Sequence, residues 1–322
     1  MSGMGRRTFL VGAASVSALL ATKRVSAQNR LRVAAVLPGS ITDKSFTESG
    51  YTGLKRAEAE LGFEFAFVEK VAPPDRAEAL SDFARRGYNI ILGHSGEFQE
   101  TVNRIARRFP NTTFLISNGT EAGRNIATVG FESKHFGYAL GIIAGRMSKA
   151  GKVGFLGATR LKFITQLEAG YTEGFRKVRP DGQVLSTYTN DWDDVAKGKE
   201  AALAQIGQGA DVIFPTMDNA VVGSLLAAKE KGIWSFGLHQ DAFSDWPETV
   251  LQSAITDIGG ALVATLRLAK AGSLKAEAYR FGIDHPDPRA GRLGTYHQAV
   301  PQKVRQEIAD LVASLKSGTL KL

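Results

Sequence analysis

The sequence repeats itself at a nearly fixed distance, and this feature limits the folds open to it more than any other. Glu48-Ser49-Gly50-Tyr51-Thr52 returns as Glu168-Ala169-Gly170-Tyr171-Thr172, 120 residues later. Val33, in the apolar run before the first copy, returns at the same distance as Val153. Gly87-Tyr88-Asn89-Ile90-Ile91-Leu92 then matches Gly209-Ala210-Asp211-Val212-Ile213-Phe214 at a distance of 122. Three matches in one order read as two similar lobes in series.

Within each copy, short apolar runs alternate with stretches of helical period, which argues α/β layers with largely parallel sheets. Strands are expected at 31–37, 63–68, 89–92 and 113–116, and again at 153–156, 184–188, 211–214 and 234–238. A helix is expected over 98–109, where Phe98, Val102, Ile105 and Phe109 form one apolar stripe and Pro110 ends it. Another is expected over about 134–149, with Phe136, Leu140, Ile143 and Met147 on its inner face. The second lobe should start near 131, and the chain should cross back to the first near 250. Lobe 1 is thus expected to hold 28–130 and about 250–290, and lobe 2 to hold 131–249 and about 291–322.

The length of 322 residues suits two domains with proper cores, and 43% hydrophobic against 22% charged residues is ordinary for a globular protein. With no Cys, disulfides, thiol chemistry, iron–sulfur clusters, thiolate zinc sites and a lipid-bearing Cys are excluded. The net charge of +8 is half explained by Arg6, Arg7, Lys23 and Arg24 in the first 27 residues, which contain no acid. Elsewhere both signs mix, as in Lys55-Arg56-Ala57-Glu58-Ala59-Glu60, the solvated face of a helix. There is no basic stripe with interleaved aromatics, so nucleic acid is not expected as a partner.

Residues 1–27 combine a basic start, an apolar run over 9–21 and the small residues Val25-Ser26-Ala27, the pattern of a cleavable signal peptide. Gly5-Arg6-Arg7-Thr8-Phe9-Leu10 resembles a twin-arginine signal. The apolar run is well short of the roughly 20 residues a membrane span needs. A soluble, exported, unanchored protein is therefore expected, cleaved after Ala27.

In an open parallel sheet, ligands bind outside the carboxyl ends of the strands, so two such lobes facing each other make a cleft. The loops that should line it carry Asp43, Lys44, Phe46, His94, Ser95, Asn118, Arg160, Phe163, Asp218, Asn219, His239 and Asp241. Ser45 and Glu48 form a capping box that starts a helix near Phe46. Asp43 just before it can accept hydrogen bonds from vicinal hydroxyls or ring N–H groups, or it can complete the cap. Phe46 and Phe163 can clamp a planar ligand from opposite lobes, or they can belong to the core. His94 can meet a ligand or sit as a satisfied buried histidine. His239 and Asp241, with no third ligand nearby, make a weak metal signal, and a structural or ligand-contact role suits them better. Trp192 reads as a cleft aromatic or as a packing residue, with packing favoured.

Catalytic and nucleotide motifs are missing. The first strand-to-helix loop has no G-x-G-x-x-G, and the chain has no P-loop, no G-x-S-x-G elbow and no H-E-x-x-H helix. Hydrogen-bonding groups and ring faces are the equipment of a binder.

Asp43-Lys44-Ser45-Phe46 followed by Gly53-Leu54 resembles the opening motif of the basic membrane protein family, the substrate-binding proteins of a class of ABC transporters that includes purine-nucleoside receptors. The likeness continues through Gly151-Lys152-Val153-Gly154-Phe155-Leu156-Gly157, Glu168-Ala169-Gly170-Tyr171, Ala196-Lys197-Gly198-Lys199-Glu200, Gly209-Ala210-Asp211-Val212-Ile213-Phe214 and Ala228-Lys229-Glu230-Lys231-Gly232. The resemblance implies a type I periplasmic-binding fold, α/β, with two doubly wound parallel-sheet lobes, three crossings between them and a ligand cleft. It further implies that Asp43 and Phe46 contact the ligand, with Phe163 the nearest match to a second stacking ring. The sequence departs from the family pattern at Thr47, where Asn is usual, and at Asn118 and His239, where Asp is usual. Thr256 stands where Lys is common, while Asp241 keeps its Asp.

The expectation is a periplasmic receptor that hands a small planar polar molecule, purine- or nucleoside-like, to a membrane ABC permease. Its ligand residues would be Asp43, Phe46, Thr47, His94, Ser95, Asn118, Phe163, Asp218, His239 and Asp241. No catalytic residue, metal or cofactor is expected, and the protein should be a monomer. Two rival readings are an exported enzyme using Asp43, His94 or His239 as acid or base, and a sensor subunit presenting its liganded form to a membrane partner.

Overall fold

The computed structural model describes residues 31–42 and 46–322. The signal segment, Asp43 and the Ser45 half of the capping box lie outside the described residues.

The first lobe is laid down as β1 (Arg32–Val36), α1 (Phe46–Leu61), β2 (Glu64–Val68), α2 (Arg76–Arg85), β3 (Ile90–Gly93), α3 (Gln99–Ile105), β4 (Thr113–Ser117) and β5 (Ile126–Phe131). The second follows with α4 (Ser133–Met147), β6 (Lys152–Gly157), α5 (Lys162–Val178), β7 (Gln183–Tyr188), α6 (Val195–Gly207), β8 (Val212–Thr216), α7 (Ala220–Lys231), β9 (Trp234–Leu238) and β10 (Val250–Thr256). The remainder is α8 (Ile258–Lys270), β11 (Ala278–Phe281), β12 (Gly291–Leu293) and α9 (Gln302–Lys316). The sheets run β2-β1-β3-β4-β5-β11 and β7-β6-β8-β9-β10-β12, one order used twice. Strands pair in parallel except for β12, which closes the second sheet antiparallel to β10.

The sequence repeat is a repeat of strand register. Val33 lies opposite Ile90 in the first sheet, and its copy Val153 lies opposite Val212 in the second. Both faces of each sheet are covered, which is why the strands read as continuous apolar runs. On β1, Val33 and Ala35 face the core shared with α1 and α8, while Ala34 and Val36 face the one shared with α2 and α3.

The glycine of the repeated motif is needed in both copies because a backbone or ring lies where a side chain would go. A Cβ on Gly50 would stand 2.3 Å from the His94 ring, and one on Gly170 would stand 2.2 Å from the Lys134 carbonyl oxygen. Gly170 belongs to a close helix pair in which Gly141 of α4 would likewise place a Cβ 2.1 Å from the Tyr171 carbonyl oxygen of α5.

The eight expected strands are present as β1 to β4 and β6 to β9. The crossing expected near 250 falls later, after Thr256, because β10 pairs with β9 and belongs to the second sheet. Three connections join the lobes, at 131–133, 256–258 and 281–291, and they are tied together: Glu132 N–H donates to Phe281 O at 3.1 Å and Asp257 N–H to Ala290 O at 2.8 Å. Among the described residues, no helix is long and apolar enough to cross a membrane.

Candidate functional site

The carboxyl ends of both sheets face one open cleft of about 1190 Å³. In a β2-β1-β3 order, the loops after β1 and β3 diverge to opposite faces and leave a crevice, and the second lobe repeats this at β6 and β8. Phe46, Thr47, Ser95 and Asn118 line the cleft from the first lobe, and Phe163, Trp192, Asp218 and His239 line it from the second. Thr256 and Asp257 of the middle crossing form part of its floor.

Phe46 opens α1 and lies flat against His94, with ring centroids 4.2 Å apart and planes 8° apart. His94 is 0% exposed and stands behind Phe46 rather than on the wall. Its Nε2 is 3.0 Å from the Phe46 carbonyl oxygen and its Nδ1 is 3.0 Å from Ser117 Oγ. Of the two roles open to His94 in the sequence, the structure has the satisfied buried histidine. Thr47 lines the cleft although only 4% exposed. Ser95 has φ 143°, and its Oγ accepts from the Glu97 N–H at 3.2 Å.

On the facing lobe, Phe163 and Trp192 stack with centroids 6.3 Å apart and planes 17° apart. The Trp192 carbonyl accepts from the N–H groups of Asp218, at 3.0 Å, and Ala220, at 3.1 Å, so the turn carrying the indole is fastened to the loop after β8. The sequence favoured packing for Trp192. The ring does pack against the core, and it also lines the cleft.

Asn118 and His239 occupy corresponding positions. Each is the first residue after the fourth strand of its lobe, with a left-handed backbone at φ 53° and 68°. Asn118 N–H donates to Val129 O at 2.6 Å, and His239 N–H donates to Ala254 O at 2.9 Å, each on the neighbouring strand. His239 Nδ1 is 2.7 Å from Thr256 Oγ1. Burial pushes the His239 imidazole down to about 4, so the ring is neutral near pH 7.

Asp241 is not on the cleft wall. Its carboxylate accepts from Thr295 N–H at 2.9 Å and Thr295 Oγ1 at 2.7 Å, which fastens the loop after β9 to the segment after β12. Burial raises its carboxyl, but the bonds from Thr295, Phe243 and Ser253 outweigh that and hold it below the ordinary carboxylate range. Two of the charges on the cleft wall are paired with arginines: Glu97 with Arg76 at 2.6 Å, and Asp257 with Arg56 at 3.6 Å. Among the described residues, no group of three His, Asp or Glu is arranged to hold a metal ion. The wall thus carries ring faces from both lobes, with the hydroxyl, amide and imidazole groups of Thr47, Ser95, Asn118 and His239 and the charged side chains Lys162, Asp193 and Asp218 between them.

Comparison with known proteins gives the family and the fold. The profile of the Bmp family, described as ABC transporter substrate-binding protein PnrA-like, matches residues 30–286. The chain is 28% identical to the Bacillus subtilis protein called Transcriptional activator protein med, over 90% of each chain. It is 25% identical to a Brucella abortus protein described as a purine-binding protein, over 95% of this chain and 87% of that one. Among solved structures, an ABC transporter solute-binding protein from Aeropyrum pernix superposes with a TM-score of 0.76 at 20% identity, covering 90% of this chain and 92% of that one. That likeness shows the fold, two parallel-sheet α/β lobes of the type I periplasmic-binding kind.

Proposed function

The chain belongs to the Bmp family of PnrA-like ABC transporter substrate-binding proteins, and from that membership we propose that it captures a purine or nucleoside-like solute between its lobes and delivers it to an ABC permease. The observation that carries this reading is the meeting of Phe46 from one lobe with Phe163 and Trp192 from the other on a single cleft. Rings on both walls suit a flat heteroaromatic ligand, and the Brucella abortus relative is described as purine-binding. Thr47, Ser95, Asn118, Asp218 and His239 supply polar contacts around the rings, and Asp43 adds a carboxylate on the family pattern. His94 acts through Phe46, as a positioning residue.

A ligand touching both walls favours the closed arrangement, because only there are all its contacts made at once; chain movement is confined to the three crossings. The ligand is bound and released unchanged. The signal-like start supports export to the periplasm, with the mature chain acting as an unanchored monomer. The likeness to the Bacillus subtilis protein called a transcriptional activator favours a second reading, in which the closed form reports the solute to a partner instead of passing it on.

Calorimetry of the mature protein with hypoxanthine, adenine, inosine and adenosine tests the first reading. Saturable binding of at least one, with one ligand per chain, is expected, and no binding across the set overturns it. Loss of uptake of that ligand in a strain lacking the gene supports import, whereas intact uptake favours the second reading.

A further inference from the structure

The duplicated fold places one polar side chain from each lobe at the end of the fourth strand, and at His239 the hydrogen-bonding sense is fixed by a neighbour. Thr256, 9% exposed, has no hydrogen-bond partner for its hydroxyl among the described residues other than His239 Nδ1. Two arrangements of the proton between them are possible. If Nδ1–H donated to Thr256 Oγ1, both the hydroxyl proton and the Nε2 lone pair would lack a protein partner. If the Thr256 hydroxyl donates to Nδ1, only Nε2–H is left over, on a residue that lines the cleft. Water in the cleft can meet Nε2 in either arrangement, so the nearly buried Thr256 hydroxyl decides, and only the second arrangement gives its proton an acceptor. The ring is neutral, so its second nitrogen carries that one proton.

We propose that His239 Nε2–H, held in this tautomer by Thr256, is a fixed donor that selects ligands presenting a carbonyl-type acceptor, so that 6-oxopurines are preferred over 6-aminopurines. A 6-oxopurine offers two adjacent acceptors, O6 and N7, along one edge, whereas a 6-aminopurine replaces one of them with a donor. Against a fixed donor, the amino group leaves two N–H groups facing each other without an acceptor, and such mismatches discriminate strongly. Asn118, at the corresponding point of the other lobe, has an amide that can donate and accept, so it tolerates either edge. Position 239 therefore sets the choice. The inference rests on the purine reading above.

Calorimetry with hypoxanthine and adenine, on the wild type and on His239→Asp, His239→Gln and Thr256→Val, tests it. The wild type should bind hypoxanthine at least about tenfold more tightly than adenine. His239→Gln, which keeps a donor, should retain the sense of the preference, and His239→Asp, which only accepts, should abolish or reverse it. Thr256→Val frees the tautomer and should shrink the preference. Nitrogen-15 NMR of the wild-type imidazole reads the proton position without any ligand. Equal or tighter adenine binding overturns the proposal, and so does an Nδ1–H tautomer. If neither base nor nucleoside binds, the purine reading fails and the ligand preference with it, while the NMR still decides whether His239 is a donor.

Discussion

The ring of Phe46 rests on the ring of His94, 4.2 Å away and almost parallel, and the Phe46 carbonyl oxygen lies 3.0 Å from the same imidazole's Nε2. One histidine thereby fixes both the side chain and the backbone of the residue that presents the first lobe's ring face to the cleft. It can lie there only because residue 50 has no side chain.

His94→Ala should therefore affect folding as well as binding. It leaves a cavity, removes the ring under Phe46 and leaves Ser117 Oγ without its imidazole partner. A destabilisation of roughly 2–4 kcal/mol is expected from denaturant unfolding. Ligand affinity should fall too, because Phe46 is no longer held in place.

The stacking rings should carry a large share of the affinity. Phe46→Ala and Trp192→Ala should each weaken binding by roughly 1–3 kcal/mol, the range seen when an aromatic is removed from under a base. Phe163→Ala should cost about as much, because it also removes the partner on which Trp192 stacks. Calorimetry reads all three, and unchanged affinity in the set would remove these rings from the site.

Asp241→Asn separates structure from site. It weakens the link to Thr295, made through both the backbone N–H and the hydroxyl, and should lower stability by about 1–2 kcal/mol. Affinity should stay within about twofold, since the carboxylate is off the cleft wall. Thermal unfolding and calorimetry on one preparation check both parts.

Stability should fall with acid through His239. Its imidazole is held down at about 4 in the folded protein, against 6.5 for an ordinary histidine. Between these values the unfolded chain takes up a proton that the native one refuses. Stability is therefore full above about pH 6.5, declines as the pH drops toward 4 and levels off below it. The contribution is at most about 3 kcal/mol, and less to the extent that water in the cleft reaches the ring. Carboxylates titrate near the lower end as well, so the quantity to measure is the difference in this slope between wild type and His239→Gln.

Much of the fold was legible because its signals are local or strictly periodic. Apolar runs marked β1 to β4 and β6 to β9, and the two repeat distances matched the register of both sheets. The strands missed are β5, β10, β11 and β12. β5 is an apolar run like those that were read, interrupted at Thr128 and Gly130. β10 carries Gln252 and Ser253, both fully buried, in the middle of its run, and β12 is three residues long. The site was legible as a set of loops and less so as a wall. Whether His94 faces the cleft depends on Gly50 and Ser117, and whether Asp241 does depends on Thr295, 54 residues away. The pairing of His239 with Thr256 likewise joins two strand ends that no local pattern links.

The decisive measurement is a crystal structure of the mature protein with hypoxanthine bound. The base should lie in the cleft between Phe46 on one side and the Phe163–Trp192 pair on the other, with both lobes in contact. A base bound against one lobe alone, or away from these rings, would contradict the proposed function.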